Sequence, residues 1–448
     1  MNHAGCLGFT PLVAVHTGAG SFSVSREKEQ CQVVAAACRK GLAVLSQQQS
    51  SSVDAATAAV RYLEESALVN AGFGSNLTTA ATVECDAALM DGTTGVFTGV
   101  GAVTGVRSAI ACSKVMMDSF SEGKTVAGFS TTLGRVKPMF LVSEGAARFA
   151  TDRESSLAID PDALVCDRAL KAWEAIAKVL QNPECDSESN HDSLDQVLED
   201  TVGAVVLDCC GNIASAVSSG GILFKYPGRI GEAAMYSCGI WAQSVSAPSL
   251  HHHRHRSYPA TSNIPKTIND SVSVGVGCSL SGTGEQIIRT LLGREIASAL
   301  LETHQDHDTT NAADVLDVST ALQRVFRTAF LNGPLLSMYE NGPKNAGVLL
   351  IRATSNVSTT EPNEPNINAN SAPKRSLDRE IWVAHTTEAM CVGWMSMGDE
   401  APVTLVSRKK EGTTTTGSKR KRMKQWQNES NSSAGVRPIR IFGEFLGQ

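Results

Sequence analysis

Several protein classes are excluded by what the 448-residue sequence lacks. No window approaches the roughly 20 apolar residues that a membrane-spanning helix needs. The opening stretch, Met1 to Ala14, has neither a basic start nor a long apolar core, so a secretory signal is not expected. The twelve cysteines (6, 31, 38, 85, 112, 166, 185, 209, 210, 238, 278 and 391) contain no CxxC and no paired metal-ligand spacing. Scattered cysteines of this kind read as reduced, mostly buried thiols, and place the expectation in the cytoplasm or the nucleus. Charge is close to balanced, with a net of −6, which gives no reason to expect nucleic acid as a partner of the whole protein. Aromatic residues are few, 13 of them Phe, whereas glycine is abundant at 38. Many glycines among many Ala and Val point to tight turns and closely packed sheets.

Patterning along the chain places strands at 11–16, 82–90, 97–103, 202–207, 212–218, 346–352 and 380–385, and helices at 27–47, 53–65, 109–120, 167–180, 285–302 and 312–331. The first strand ends in His16-Thr17-Gly18-Ala19-Gly20, which reads as a glycine loop. A serine run before Val53 can cap the second helix. The runs at 202–207 and 212–218, joined by Asp208-Cys209-Cys210-Gly211, read as a hairpin. Strands and helices come in groups without regular βαβ alternation, which favours a layered α+β fold.

Four stretches offer little to bury. Residues 181–200 carry seven acids and read as a linker. Residues 244–270 include the tract His251-His252-His253-Arg254-His255, whose free-loop setting gives no fixed geometry for zinc. Residues 353–376 form a polar Asn/Pro/Thr/Ser insert, and the tail from 408 to 448 is basic and reads as weakly structured. Its cluster 419–424 has two readings, a solvated tail and a nuclear import signal.

One junction invites chemistry. Thr201 stands where the acidic linker meets an apolar strand. A threonine hydroxyl needs an adjacent base to act as a nucleophile at neutral pH. A threonine at a chain N-terminus carries that base itself, since a free α-amine has a pKa of about 7.7–8.0, near the pH at which it must work. Cleavage after Asp200 would free such an end without breaking a strand, and Asp200 sets a carboxylate beside the bond. The β-branch of Thr201 restricts its χ1 and holds the hydroxyl in one direction. The plain alternative is a threonine that merely opens a strand.

The string around it, Thr201 to Asn212, then Ser218-Ser219-Gly220-Gly221 and Pro227-Gly228-Arg229-Ile230-Gly231, resembles the small-subunit start of the type 2 asparaginases. The likeness extends to His16–Gly20, Asn70-Ala71-Gly72-Phe73-Gly74-Ser75, Glu84-Cys85-Asp86-Ala87, Met90-Asp91-Gly92 and Ser281-Gly282-Thr283-Gly284-Glu285. That resemblance implies an N-terminal-nucleophile hydrolase with a four-layer αββα sandwich. Within that family, Lys225-Tyr226-Pro227-Gly228-Arg229 and His385-Thr386-Thr387-Glu388-Ala389-Met390-Cys391-Val392-Gly393 resemble the threonine aspartase (taspase) branch, endopeptidases that cut protein substrates after Asp. It implies one catalytic domain in two segments, a large one (1–200) and a small one (201–448), cut between Asp200 and Thr201.

Residue roles follow from the same resemblance. Thr201 matches the nucleophile and Ser219 the second hydroxyl that orients it; the plain reading of Ser219 is a turn serine. Ser281 and Gly282 match an oxyanion-stabilising pair, against the alternative of an ordinary helix cap by Ser281 or Thr283. No Gly-Lys-Ser/Thr follows them, which removes a nucleotide loop. Arg229 matches the group that grips a substrate carboxylate by a two-pronged contact. Glu232 departs from pattern: asparaginases have Asp there for the substrate's free α-amine, and taspases a neutral amide. Asn70, in a segment that wraps a sodium ion in relatives (70–74), matches a buttress of the nucleophile, and Gly18 matches the glycine loop beside the site; both loops also read as purely structural. No catalytic cofactor is implied. The implied partners are protein substrates with Asp at the cut, and a second processed unit giving a heterotetramer. An asparaginase or isoaspartyl peptidase acting on small substrates is the alternative function, and a non-catalytic scaffold is a third that intact Thr201, Ser219, Arg229 and Ser281 argue against.

Overall fold

The computed structural model describes residues 7–121, 136–181, 201–245, 272–302, 317–358, 374–409 and 439–446. Thirteen strands among them make two sheets. The strands are β1 (Leu12–Gly20), β2 (Cys85–Asp91), β3 (Phe97–Val103), β4 (Phe140–Val142), β5 (Val202–Leu207), β6 (Ile213–Ser219), β7 (Ile240–Gln243), β8 (Val272–Gly282), β9 (Ala346–Ser358), β10 (Lys374–His385), β11 (Ala389–Ser396), β12 (Val403–Arg408) and β13 (Arg440–Leu446). The larger sheet runs β12-β11-β1-β5-β6-β2-β3-β4 and the smaller β13-β10-β9-β8-β7. Helices α1 (Glu27–Leu45), α2 (Ser52–Glu64), α3 (Ala109–Ser121) and α4 (Ser143–Thr151) pack on the outer face of the larger sheet. On the smaller sheet, α7 (Leu292–Glu302) packs against β8 and α8 (Val318–Val325) against β13; the short α6 (Gly284–Thr290) leads into α7. The result is helix, sheet, sheet, helix, the expected α+β sandwich. Helix α5 (Asp167–Gln181) closes one end, where Trp173 stacks on Phe224.

The apolar runs explain this layering. Along β5 the side chains of Val202, Ala204 and Val206 face the helices, while Val205 and Leu207 face the second sheet. Strand β1 divides in the same way, with Val13 and Val15 on one side and Leu12 and Ala14 on the other. A strand buried on both faces has no polar alternation to show, so its sequence reads as a continuous hydrophobic run. The two sheets approach closely because glycines face the gap. A β-carbon at Gly277 would lie 2.5 Å from Ile213 Cγ2 and 2.6 Å from Val205 Cγ1.

Several expectations are corrected. The segment His16–Gly20 is not a loop; it continues β1 as strand, with an irregularity in register between His16 and Ala19. The helix expected over 285–302 is two helices, broken at Leu291, which adopts a left-handed φ of +48°. There the chain turns so that Gly293 fits against the carbonyl of Cys238, where a β-carbon would come within 2.8 Å. The insert expected over 353–376 starts and ends in strand, since β9 runs to Ser358 and β10 begins at Lys374. Within the tail expected to be weakly structured, Arg440–Leu446 forms the edge strand β13. Ser244 also belongs to the ordered body, its hydroxyl accepting from Ile213 N at 2.8 Å. The serine cap of α2 is present: Ser51 and Asp54 form a reciprocal capping box. Asp200, the histidine tract, the cluster 419–424 and nearly all of the linker lie outside the described residues. No helix among the described residues is long and apolar enough to cross a membrane.

Candidate active site

Thr201 lies at the entrance to β5, one residue before the strand begins, and is 3% exposed. Its position is set by pairing on both sides. Strand β5 lies between β1 and β6, with His16 opposite Gly203 and Val202 opposite Ser218. Continuing the first register brings Gly18, with φ of +113°, alongside Thr201. Continuing the second brings Ser219, whose Oγ is 3.1 Å from Thr201 Oγ1. The Thr201 hydroxyl also reaches Glu232 Oε1 at 2.8 Å. A hydroxyl has one proton to give, and the carboxylate is the stronger acceptor of the two.

Asn70 touches the nucleophile's neighbours, not the nucleophile. Its Nδ2 donates to Gly221 O at 2.8 Å, its Oδ1 accepts from Asn76 N at 2.9 Å, and its own carbonyl accepts from Gly220 N. The turn after Ser219 is thereby fixed, and Gly221 N donates to Ser219 Oγ at 3.0 Å. The loop 66–74 beside it is closed by a guanidinium: Arg168 donates to the carbonyls of Ala67 and Gly74, and Gln30 to that of Leu68. The carbonyls of Ala67, Leu68 and Gly74 are thereby engaged, the last of them within the segment 70–74.

The second half of the site is the segment between β6 and β7. Arg229 Nε donates to Glu285 Oε1 at 2.9 Å, and Nη2 stands 2.8 Å from the same oxygen without hydrogen-bond geometry. Glu285 is 43% exposed on its side chain, so this pair is weak and can yield to another carboxylate. The guanidinium lies among three glycines. A β-carbon at Gly221, Gly231 or Gly284 would come within 3.0 Å of its nitrogens. Gly284 also borders Glu232, where a β-carbon would stand 2.5 Å from Oε2. Glu232 is 3% exposed, and burial raises its carboxyl from the usual 4.5 to about 7 against the pull of Thr201 and Arg229.

Ser281 and Gly282 end β8. The Ser281 hydroxyl accepts from Ala19 N at 3.0 Å, tying the second sheet to β1 next to the nucleophile. Gly282 has φ of +142° and presses on the backbone at Asn345, so no side chain fits there. Neither Ser281 nor Thr283 caps α6 with its side chain. The segment 385–393 is the corner that carries the chain from β10 in one sheet to β11 in the other. Thr386 Oγ1 donates to Lys344 O at 2.8 Å and accepts from Ala346 N at 3.0 Å.

Sequence reasoning assigned no role to Asp86, Glu84 or Lys225, yet they hold the Arg229 segment. Asp86 accepts from Gly231 N at 2.7 Å and from Ala102 N at 2.8 Å. Glu84 Oε2 accepts from Gly228 N at 2.7 Å, and Lys225 Nζ donates to Gly220 O at 2.6 Å and to Glu84 O. Burial raises the Asp86 carboxyl and lowers the Lys225 ammonium. The available signal is the Glu84-Cys85-Asp86-Ala87 motif, which by itself points to no partner. His16, next to the site, keeps Nε2 2.9 Å from Ser279 Oγ, and burial lowers it to about 3, so it is neutral.

Residues 9–250, more than half of the chain, match the asparaginase family Asparaginase_2. The chain belongs to that family. It is similar to a plant-type L-asparaginase of Pyrobaculum calidifontis, 34% identical over 237 residues that make up 52% of this chain and 71% of that protein. It is similar to the isoaspartyl peptidase/L-asparaginase of Danio rerio, 33% identical over 235 residues, 52% of this chain and 67% of the relative. An isoaspartyl peptidase of Escherichia coli is 29% identical over 297 residues, 64% of this chain and 76% of the relative. The family match ends before the corner at 385–393.

Proposed function

We propose that this asparaginase-family hydrolase cuts itself between Asp200 and Thr201 and then uses Thr201 to hydrolyse amide bonds at aspartyl residues. The observation that carries this is the contact set of Thr201: a buried hydroxyl at the head of a strand, within hydrogen-bond reach of Ser219 and Glu232. Freed as an N-terminus, its α-amine takes the hydroxyl proton, Oγ1 attacks the carbonyl carbon, and water later releases the acyl group. Arg229, with a donor not yet in a well-formed bond, grips the aspartyl carboxylate. Donors at Ser281 and Gly282 face the developing oxyanion in this reading.

Two substrate classes share that chemistry. The relatives' names favour the small one, β-aspartyl dipeptides and asparagine, and that is the support the comparisons lend. The site itself favours an endopeptidase cutting protein chains after Asp. A free amino acid or dipeptide brings an ammonium group, which calls for a fully charged carboxylate. Glu232 is instead folded back onto the Thr201 hydroxyl and half discharged at neutral pH, which suits the neutral amide nitrogen of a polypeptide. The corner at 385–393, which resembles taspases, reaches the same neighbourhood through Met390, whose sulfur packs on Gly347 opposite Ser281.

The test offers the purified protein an Asp-Gly-containing peptide, L-asparagine and a β-aspartyl dipeptide, with intact mass measured in parallel. Cleavage after Asp without ammonia release supports the endopeptidase. Dipeptide hydrolysis or ammonia release without peptide cleavage replaces it with the small-substrate reading. A single uncut chain that turns over any of them removes Thr201 as the nucleophile.

A further inference from the structure

Granted the cut between Asp200 and Thr201, on which this inference rests, self-cleavage poses a chemical problem that turnover does not. After the cut, the α-amine of Thr201 is the base. Before the cut that nitrogen is an amide, its lone pair delocalised into the carbonyl, and it takes no proton. The hydroxyl still has to lose one to attack the preceding carbonyl. Another group must serve in the uncut chain.

We propose that Glu232 is the general base of self-cleavage, its Oε1 taking the proton from Thr201 Oγ1 as that oxygen attacks the carbonyl carbon of residue 200. The separation is 2.8 Å, within the reach a base needs. Both residues are 3% exposed, and the Gly284 backbone against Oε2 leaves the carboxylate little room to turn away. Among the described residues, the other groups nearby are less suited. Asp86 spends both oxygens on Ala102 N and Gly231 N. His16 bonds Ser279 through Nε2 only, and with burial lowering it to about 3 its other nitrogen is too weakly basic. Ser219 offers a neutral hydroxyl. Arg229, Asp86 and Cys238 are the titratable or charged groups that feel Glu232: burial raises its carboxyl to about 7, Asp86 adds to that, and Arg229 opposes it. A base titrating there suits neutral pH.

The step balances within the chain. The proton passes from Oγ1 to Oε1 while the Oγ1–carbon bond forms. On collapse the carbon–nitrogen bond to Thr201 breaks, and Oε1 returns the proton to the departing nitrogen. Water then hydrolyses the ester, leaving a carboxylate at residue 200 and the restored hydroxyl. The free amine takes over as base, and Glu232 passes to the substrate's nitrogen.

The experiment follows the full-length chain by intact mass as it converts to two chains, between about pH 5 and 8.5, alongside Glu232→Gln and Glu232→Asp, with thermal melts to show each variant folded. The wild-type rate is expected to rise with pH and level off near neutrality. Glu232→Gln is expected to cleave at least about 100-fold more slowly without that inflection, and Glu232→Asp to fall between. Hydroxylamine, which cleaves an accumulated ester, is expected not to rescue Glu232→Gln, because the ester never forms. Cleavage of Glu232→Gln within twofold of wild type, or its rescue by hydroxylamine, overturns the assignment. Should Glu232→Gln not fold, the wild-type profile and Glu232→Asp decide: a pH-independent rate, or an aspartate variant as fast as wild type, overturns it. A wild-type chain that stays whole at every pH overturns self-cleavage itself, a different failure from a wild type that cuts without needing Glu232.

Discussion

The two halves of the site are built by different means. The Thr201 half is positioned by strand register: β1 and β6 flank β5, and Asn70 locks the turn behind Ser219. The Arg229–Glu232 half belongs to an irregular segment, held by the carboxylates of Asp86 and Glu84 and the Lys225 ammonium, which accept from or donate to its backbone. Register is enforced by the whole core, since a slip of one residue would turn every side chain to the wrong face. A loop held by a few charged hydrogen bonds is adjustable, and each bond can be removed singly. Turnover should therefore depend on the first half and substrate choice on the second, with Glu232 crossing that division in self-cleavage alone.

Thr201→Ala should break the first half outright. The chain is expected to remain single by intact mass, with turnover lower by at least about 10⁴-fold. Arg229→Gln should separate the halves. Removing a charged donor from a carboxylate is expected to lower kcat/KM by about 30- to 1000-fold. Self-cleavage should fall much less, because the chain itself holds the reacting groups together. Equal losses in both assays would show that Arg229 shapes the nucleophile as well, and would dissolve the division.

The division also marks what the sequence made legible. Strands β3 and β5 were placed to the residue, and both are buried from end to end. Strand β8 was not placed, since glycines interrupt the apolar pattern of Val274-Gly275-Val276-Gly277-Cys278-Ser279. Its glycines are there because Ile213, Val205 and Val245 leave no space for a side chain. Thr201, Ser219 and Glu232 could be named from local strings, and they do meet. Asp86 could not, because its bond to Gly231 spans 145 residues and depends on the β2–β6 pairing. The break at Leu291 carried no glycine or proline at that position to announce it, being imposed by the contact of Gly293 with Cys238.

Asp86→Asn probes the loop alone. Asparagine keeps one acceptor and turns an amide towards the backbone N–H that lost its partner. A loss of about 1–3 kcal/mol in stability is expected by denaturant unfolding. KM should rise while kcat changes less, because Gly231 lies between Arg229 and Glu232. A fall in kcat with KM unchanged would place Asp86 with the nucleophile instead.

A last comparison tests whether Glu232 is a discharged acid or a standing counter-ion. In a Thr201→Ala background both chains stay whole, so Glu232→Gln can be compared with its parent by unfolding at a series of pH values. The folded carboxyl lies at about 7 with the Thr201 hydroxyl pulling it down, so without that hydroxyl it titrates no lower, while the unfolded one keeps the usual 4.5. The folded state holds a proton across that interval that the unfolded state has lost. That contribution is fully present below 4.5 and is lost as pH rises through the folded value, a change of about 3 kcal/mol over the interval to pH 7. His16, lowered to about 3, acts in the other direction, costing stability as pH falls below 6.5, but it is present in both proteins and cancels in the difference. Glu232→Gln should therefore gain on its parent between pH 5 and 7 and keep the gain at pH 8. A difference that stays constant would mean the carboxylate is charged throughout. It would then be a fit partner for a substrate ammonium, and the balance would return to asparagine and β-aspartyl dipeptides.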